Sequence, residues 1–404
     1  MSSVTAEKRE WVRQVLGVSA APGGAAPGGE TPAGEAGAGE AGAAAPAGGD
    51  ADDANYEADW QKALKAKAWQ DAAFALTFMS ASGQKARIGK LSAEDVQALH
   101  KGACDKTELG ASSAVAIATA VFAHPTISPE QEGRATAIEQ KLAPEDQKKY
   151  RALLDGAKSP KEKQFITKGL AAKHTVAELE AFAAKIAGKD DKWLQDNLSL
   201  TGASDGTGVK QQWHDSCGPT TFEAVMGELD PLYALKKHED NPKLNQADNA
   251  DAEKLNKDLA ADQKSILTGG GGVATNRDTK GRGMWVTDNL NKISASTGLS
   301  YENKLIPDGG TVEEGITTLN DATAKGEPVP IVIGNGSKDY AHYVLVTASD
   351  PGPPRYYKIH DPWSGETVTR SEKQMRDGEL DIAGGLNQLE AFAKPTPVQV
   401  GASP

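Results

Sequence analysis

The spacing of hydrophobic positions changes along the chain. Between residues 56 and 200, apolar residues recur three or four positions apart, as at Trp60 and Leu64 and again at Ala73 and Leu76. This period is that of an amphipathic helix, whereas the apolar runs after residue 325 are short and bounded by Pro and Gly. Those runs predict antiparallel strands at residues 329–333, 342–347, 356–360 and 367–369. We therefore predict an α+β protein in which an N-terminal all-α domain precedes a domain with an antiparallel sheet.

Three segments of the first part predict helix starts. In each, a Ser or Thr is followed three positions later by Gln or Glu, which is the capping-box arrangement. The segments are residues 128–131, 159–162 and 175–178, and the first two carry Pro at the first helical position. Gly188 is placed to end the third helix. The sequence therefore predicts six to eight helices and no strand between residues 56 and 200.

Residues 17–55 consist almost entirely of Ala, Gly, Pro, Glu and Asp, without Lys or Arg. Such a composition cannot bury a core, so we predict a disordered linker. A second, shorter linker is predicted at residues 201–209. The predicted parts are a short N-terminal helix at 1–16, the linker at 17–55, the all-α domain at 56–200, the linker at 201–209, the sheet-containing domain at 210–393 and a loose tail at 394–404.

The 404-residue chain carries a formal net charge of −12. This excess of negative charge disfavours nonspecific binding to nucleic acid and to anionic membranes. The longest apolar run, residues 111–123, is too short to span a bilayer and predicts a buried helix. The charged N-terminus also lacks the continuous apolar segment of a Sec signal peptide. We therefore expect cytoplasmic synthesis, with no membrane span and no nucleic-acid partner.

The segment Q-Q-W-H-D-S-C-G-P at residues 211–219 contains one of the two cysteines of the chain. Cys217 immediately precedes a helical pattern, and the N-terminus of a helix stabilises a thiolate, which is the nucleophilic form of cysteine. The side-chain amide of Gln211 or of Gln212 can donate a hydrogen bond to an oxyanion that forms beside the sulfur. Cys217 is therefore the candidate nucleophile, whereas Cys104 is predicted to be an ordinary thiol.

A cysteine nucleophile needs a base, and the base needs a group that orients it. His342 lies in an apolar, strand-like run, and Asp361 follows the next such run. Their separation matches two adjacent antiparallel strands with the turn that joins them. We therefore predict that Asp361 orients His342 and that His342 is the base for Cys217. Trp213 and Trp363 are predicted to line the same cleft.

Other interpretations of these residues stay open at the level of sequence. His360 is the rival base if the strand register shifts by one residue. Cys217, His214 and His342 could together hold a metal, or Cys217 could be a buried residue of a purely structural site. Neither the Gly-rich run at 269–272 nor the Asn- and Asp-rich segment after residue 240 has the spacing of a phosphate or calcium loop. We therefore predict no cofactor and no metal.

The combination of an upstream Gln, S-C-G-P opening a helix, H-Y-V-L-V in a strand and a strand ending in D-P-W-S-G resembles the papain-like cysteine peptidases. Within that class it is most similar to the bacteriocin-processing, double-glycine leader peptidase group, over residues 210–392. The resemblance implies Cys217 as nucleophile, Gln211 as oxyanion donor, His342 as general base and Asp361 as its orienting group. It also implies a nucleophile helix packed on an antiparallel sheet and a peptide or protein substrate. The long polar insert between the Cys and His segments departs from the family pattern.

The N-terminal half carries a second resemblance. Residues 69–80 and 91–103 are similar to helical proteins associated with extracellular contractile injection systems. This implies a secretion or injection apparatus as partner and a bacterial effector exported without a Sec signal. Two alternative functions use the same scaffold, namely a glutamine deamidase-type toxin and a catalytically inactive papain-like binding module.

Overall fold

The chain divides into two compact units, Met1–Val121 and Phe122–Pro404. The structure, a computed structural model, describes residues 49–102 with short gaps, 126–202, 208–241 without 214, 244, 257–269, 284–306, 310–335, 341–350, 355–383 and 385–398. The predicted helix at 1–16, most of the linker at 17–55, the apolar run at 111–123 and Cys104 lie outside the described residues.

This division differs from the predicted boundary at 201–209. The helices from Pro129 onward belong to the same unit as the sheet. The predicted linker is anchored at its ends, because Leu200 and Val209 are both 1% exposed and the Val209 N–H donates to the Leu200 carbonyl at 2.7 Å. Both residues belong to the apolar core that also contains Val225 and Leu345. A segment that is buried at both ends does not separate two independent cores.

Within the residues that the structure describes, the helices of the first unit are α1 (Gly49–Ala66), α2 (Trp69–Thr77) and α3 (Ala81–Ile88). Their apolar faces meet around Trp60, which is 1% exposed. Helix α1 begins inside the segment that composition predicted to be a disordered linker. The predicted linker is therefore shorter than composition suggested.

The second unit begins with five helices: α4 (Pro129–Glu139), α5 (Pro144–Gly156), α6 (Pro160–Ala171), α7 (Val176–Ile186) and α8 (Asp191–Asn197). The predicted starts at residues 128–131 and 175–178 are confirmed as reciprocal capping boxes. Ser159 also caps α6 as predicted, but the Glu162 carboxylate accepts hydrogen bonds from the backbone of Lys158 and Gly188 instead. The described residues of 56–200 contain no strand.

The remaining elements build the sheet and its helical cover. The helices are α9 (Cys217–Leu229), α10 (Pro231–Asp240), α11 (Lys257–Gly269), α12 (Val286–Lys292), α13 (Ser294–Thr297), α14 (Val312–Ala324) and α15 (Glu372–Asp377). The strands are β1 (Leu299–Leu305), β2 (Val329–Gly334), β3 (Ala341–Ser349), β4 (Tyr356–His360), β5 (Thr367–Ser371) and β6 (Gln388–Pro397).

The six strands form one antiparallel sheet in the order β1-β6-β2-β3-β4-β5. The four predicted strands are confirmed as β2 to β5. Strands β1 and β6 were not predicted, and β6 extends to Pro397, into the segment predicted to be a tail. Hence the expected tail supplies part of the sheet.

Alternating side chains of β3 face different helices. Leu345 packs with Val225 of α9, whereas Val344 packs with Leu319 of α14. Because successive side chains of a strand point to opposite faces, the sheet is covered by helices on both sides. The mixed helix and antiparallel-sheet class is therefore confirmed. Across the part of the chain that the structure describes, no helix has both the length and the apolar character to cross a bilayer.

Candidate active site

Cys217 is the first residue of α9, so the helix begins at the thiol itself. The preceding residue, Ser216, is fully buried, and its hydroxyl accepts a hydrogen bond from the Trp213 N–H at 2.9 Å. This local turn holds Cys217 at the helix N-terminus, where the helix dipole favours a thiolate. Cys217 is a free cysteine, and the residue is only partly buried.

His342 and Asp361 meet as the sequence predicted. The Nε2 atom of His342 lies 2.6 Å from Oδ1 of Asp361, and both residues are almost fully buried. The β3–β4 register pairs Leu345 with His360. Asp361 is the first residue after β4 and His342 is the second residue of β3, so this antiparallel pairing brings both residues to the same end of the two strands.

The D-P-W-S-G segment holds the Asp361 carboxylate in place. Oδ1 accepts a hydrogen bond from the Trp363 N–H at 2.9 Å, and Oδ2 accepts one from the Ser364 hydroxyl at 2.9 Å. The turn closes through the Gly365 N–H, which donates to the Asp361 carbonyl at 2.8 Å, and Gly365 has a φ of +76°. This left-handed conformation favours Gly, which explains the last residue of the motif.

The imidazole of His342 connects Asp361 to Cys217. Because Nε2 is hydrogen-bonded to Asp361, Nδ1 is the ring nitrogen that remains for the Cys217 thiol, with which His342 also forms a hydrogen bond. Burial by itself would lower the pKa of His342, but its hydrogen bonds to Asp361 and Cys217 raise that pKa to about 9. The imidazole is therefore protonated near neutral pH.

The pKa of the Cys217 thiol is shifted in the opposite direction, to a lower value. Burial alone would raise the pKa of Cys217, but the hydrogen bond and charge of His342, with the backbone N–H groups of Tyr343 and Gly218, bring that pKa below its ordinary value. The pKa of Asp361 is also lowered, because the effect of burial is outweighed by the hydrogen bond and charge of His342. The three groups thus favour a thiolate, an imidazolium and a carboxylate in series.

Gln211 and Gln212 are both fully buried just upstream of the thiol. The side-chain amide of Gln211 donates to the Trp213 carbonyl at 2.9 Å, and that of Gln212 donates to the Lys210 carbonyl at 2.9 Å. The backbone N–H of Gln211 also donates to the Pro362 carbonyl at 2.8 Å. This last bond connects the segment before the nucleophile directly to the turn that carries Asp361.

His360 is held away from the proposed base position. It is fully buried, and its Nε2 lies 2.9 Å from the Val209 carbonyl, to which it donates as a neutral imidazole. Burial lowers its pKa to about 4. His360 is the last residue of β4 and its ring meets the Val209 carbonyl, whereas Asp361, in the turn that follows, meets His342. His342, and not His360, is therefore the histidine that meets the carboxylate.

The alternative metal set of Cys217, His214 and His342 falls partly outside the described residues. His214 lies outside them, and within them no group of three or more His, Cys, Asp or Glu side chains could hold a metal ion. Cys217 and His342 instead contact each other and the Asp361 carboxylate lies behind them.

Gln263 is a site residue that the sequence analysis missed. It lies on α11, within the insert predicted to be solvated, yet it is fully buried. Its Oε1 accepts hydrogen bonds from the Gln212 N–H at 2.8 Å and the Ser216 hydroxyl at 3.0 Å. Its Nε2 donates to Glu223 of α9 at 3.1 Å. Leu259 and Leu267, four positions to either side of Gln263, were the available signal, because all three lie on one helix face.

Trp285 is a second missed residue. Its ring is 42% exposed and meets the Tyr343 ring edge-on, with 6.5 Å between the centroids. Tyr343 follows His342 directly, and Met284 lies against Gly218, beside the thiol. Of the two tryptophans predicted to line the cleft, the Trp213 indole N–H donates to the carbonyl of Ala260 in α11 at 2.8 Å. Trp213 therefore also fastens the insert to the site.

Comparison with known proteins does not assign the chain to a family. No protein-family model matches the chain, and no curated protein is significantly similar to it. The function is therefore inferred from the residues of the site and their geometry.

Proposed function

We propose that the protein is a cysteine-dependent amide hydrolase, a peptidase in which Cys217, His342 and Asp361 act together. The observation that carries the proposal is that His342 bonds to Asp361 at 2.6 Å and lies close enough to Cys217 for the two groups to shift each other's pKa. A purely structural histidine needs only one partner, whereas a nucleophile–base pair needs an orienting group behind the base.

The reaction follows from the protonation states. The Cys217 thiolate attacks the amide carbonyl carbon, and the resulting oxyanion is stabilised by backbone N–H groups at the start of α9 and by Gln211, which we assign as side-chain donor. The His342 imidazolium gives its proton to the departing amine as the C–N bond breaks. A water molecule then loses a proton to His342 and attacks the thioester, which releases the carboxylic acid and regenerates the thiol–imidazole pair.

The fold supports the resemblance to papain-like peptidases. The nucleophile begins a helix that packs on an antiparallel sheet, and the base and its orienting group lie on neighbouring strands of that sheet. We extend the proposal to a papain-like domain of the double-glycine leader peptidase type with a peptide or protein substrate. Delivery as an injected effector stays a prediction from the N-terminal sequence.

The test is incubation of the full-length protein with a mixed peptide library, followed by mass spectrometry. A peptidase produces pairs of fragments that together gain one water, whereas a glutamine deamidase produces intact peptides that are heavier by about one mass unit. Cys217→Ala should abolish either activity while circular dichroism stays unchanged, and Cys104→Ala, which removes the other thiol, should retain it. Turnover that persists in a folded Cys217→Ala protein would refute the proposal, as would a wild-type protein that modifies no peptide.

A further inference from the structure

A second pocket lies at the end of α9 that is distant from Cys217. It has an empty volume of about 380 Å³, partly open to solvent, between the start of α4, the end of α9, the start of β1 and the end of β6. Helix α9 has 13 residues, and at a rise of about 1.5 Å per residue its two ends are about 18 Å apart. The pocket is therefore separate from the proposed active site.

Two carboxylates in this pocket lack partners. Glu327, just before β2, is 3% exposed, and neither its Oε1 nor the buried Oε2 of Glu130 has a hydrogen-bond partner among the described residues. Burial raises the pKa of Glu327 to about 7; the nearby charge of Glu130 adds to this increase and that of Lys325 opposes it. A buried carboxylate without a partner is costly, so a ligand that brings a positive charge to Glu327 would offset that cost.

Arg134 is the cationic side chain among the residues that line the pocket, and it already donates hydrogen bonds to backbone carbonyls. The guanidinium of Arg134 donates to the carbonyls of Ala171 at 2.6 Å and Ala295 at 2.5 Å. The C-terminal end of α9, at Leu229, adds the negative end of a helix dipole to the same pocket. The carboxylates and this helix end therefore favour an incoming cation.

The rest of the lining indicates what kind of cation fits. Leu229, Leu299, Pro397 and Val398 present apolar surface beside the carboxylates. Inorganic cations such as Ca²⁺ prefer six or more oxygen ligands, and the described residues offer no cluster of three acidic, His or Cys side chains. A ligand with a charged head at the end of an alkyl chain can bind the carboxylates through its head and pack its chain on the apolar residues.

We propose that this pocket binds a primary alkylammonium group, with its charged head at Glu327 and Glu130 and its alkyl chain along the apolar wall. Such a group is carried both by free aliphatic diamines and by the lysine side chain of a protein. The site is independent of catalysis at Cys217.

Isothermal calorimetry of the full-length protein at pH 8 tests the proposal with two probes, putrescine and Nα-acetyl-lysine methylamide. We expect saturable binding of at least one probe: preference for putrescine identifies a free diamine, and preference for the lysine derivative identifies a side chain. Glu327→Gln should weaken binding at least tenfold. Glu180→Gln, which removes the same charge from an exposed position on α7, should leave affinity unchanged.

A measurement on the wild-type protein keeps the test independent of how the variant folds. Affinity should fall about tenfold between pH 8 and pH 6, because protonation of Glu327 removes the charge that holds the ammonium head. Absence of saturable binding by the folded wild-type protein would overturn the proposal. So would equal affinity in a folded Glu327→Gln variant, or affinity that does not change between pH 8 and pH 6.

Discussion

The side chain of Gln263 accepts a hydrogen bond from the hydroxyl of Ser216, 3.0 Å away, although the two residues lie 47 positions apart in the chain. Ser216 directly precedes the proposed nucleophile, and Gln263 belongs to α11 of the polar insert. The insert therefore takes part in holding the thiol at the N-terminus of α9. It is the feature of the sequence that departs most from the family it resembles, and here it has a physical role.

This contact predicts that Gln263→Ala alters the chemistry of Cys217 as well as stability. The substitution leaves the Gln212 N–H without its buried acceptor and removes one of the two acceptors of the Ser216 hydroxyl, which should cost about 1–3 kcal/mol of unfolding free energy. The loosened turn should also raise the apparent pKa of Cys217, measured as the pH dependence of its alkylation.

Gln84→Ala is the matched control, because Gln84 is a buried glutamine of the other compact unit whose side chain donates to the Met79 carbonyl. It should reduce stability without moving the Cys217 profile. If Gln263→Ala moves the profile no further than Gln84→Ala does, the positioning role is wrong.

Limiting iodoacetamide should distinguish Cys217 from Cys104. The His342 imidazolium stabilises the thiolate, so we expect Cys217 to be alkylated with an apparent pKa below the free-thiol value of about 8.5. In His342→Ala the backbone N–H groups of Tyr343 and Gly218 remain, but the hydrogen bond and the charge of His342 no longer oppose burial, which should raise that apparent pKa above the wild-type value. Mass spectrometry of both cysteines between pH 5 and pH 9 measures this directly. Equal labelling of the two thiols at every pH would contradict the ion pair.

Asp361→Asn should shift the alkaline limb of the pH–activity profile to lower pH. Asp361 helps to raise the pKa of His342 to about 9, and activity should fall above that pH as the imidazolium loses its proton. Without the carboxylate the limb should move to lower pH by on the order of one to two units. Turnover should also fall by about 100-fold or more, because the base loses its orienting group.

The control for this prediction is Asp321→Asn, an exposed aspartate of α14. Profiles of kcat/KM against pH, measured with any substrate found in the library, compare the two variants. An Asp361→Asn protein with the wild-type alkaline limb would show that the carboxylate does not act on His342.

His360→Ala should reduce stability and spare the thiol. It leaves the buried Val209 carbonyl without its donor, which should cost about 1–3 kcal/mol. Because His360 bonds to the Val209 carbonyl and not to Asp361, the alkylation profile of Cys217 should stay as in the wild type. A profile like that of His342→Ala would instead make His360 the base.

Glu327→Gln should stabilise the protein at alkaline pH. The pKa of Glu327 is raised to about 7 from an ordinary value of 4.5, so its favourable contribution is complete below pH 4.5 and is lost as the pH rises through 7. The neutral amide avoids that loss, which amounts to about 3 kcal/mol. Urea unfolding followed by tryptophan fluorescence should show equal stability of the two proteins near pH 4.5 and a more stable variant at pH 8. A stability difference that is independent of pH would refute a buried, unpaired carboxylate.

The sequence alone identified the members of the proposed site, because local signals encode them. A cysteine before a helix pattern, a histidine in an apolar run and an Asp-Pro turn after the next run can each be read within about ten residues. The capping boxes at Ser128 and Thr175 are local in the same way, and the structure confirms them.

The choice between His342 and His360 also followed from a local rule. The antiparallel register Leu345–His360 places Asp361, the residue after β4, beside the start of β3, where His342 meets its carboxylate. The sequence predicted this pairing but could not establish it, because a one-residue slip would exchange the two faces.

The tertiary structure decided what depends on contacts between distant residues. Strand β6 lies between β1 and β2, although helices α14 and α15 and strands β2 to β5 separate it from β1 in the chain. Gln263 is a site residue only because α11 turns its polar group inward. Glu327 and Glu130 line the same pocket only because the start of α4 comes near the start of β2. Periodicity reveals which face of an element is buried, but it does not name the partner that covers it, because that partner is selected by packing across the whole chain.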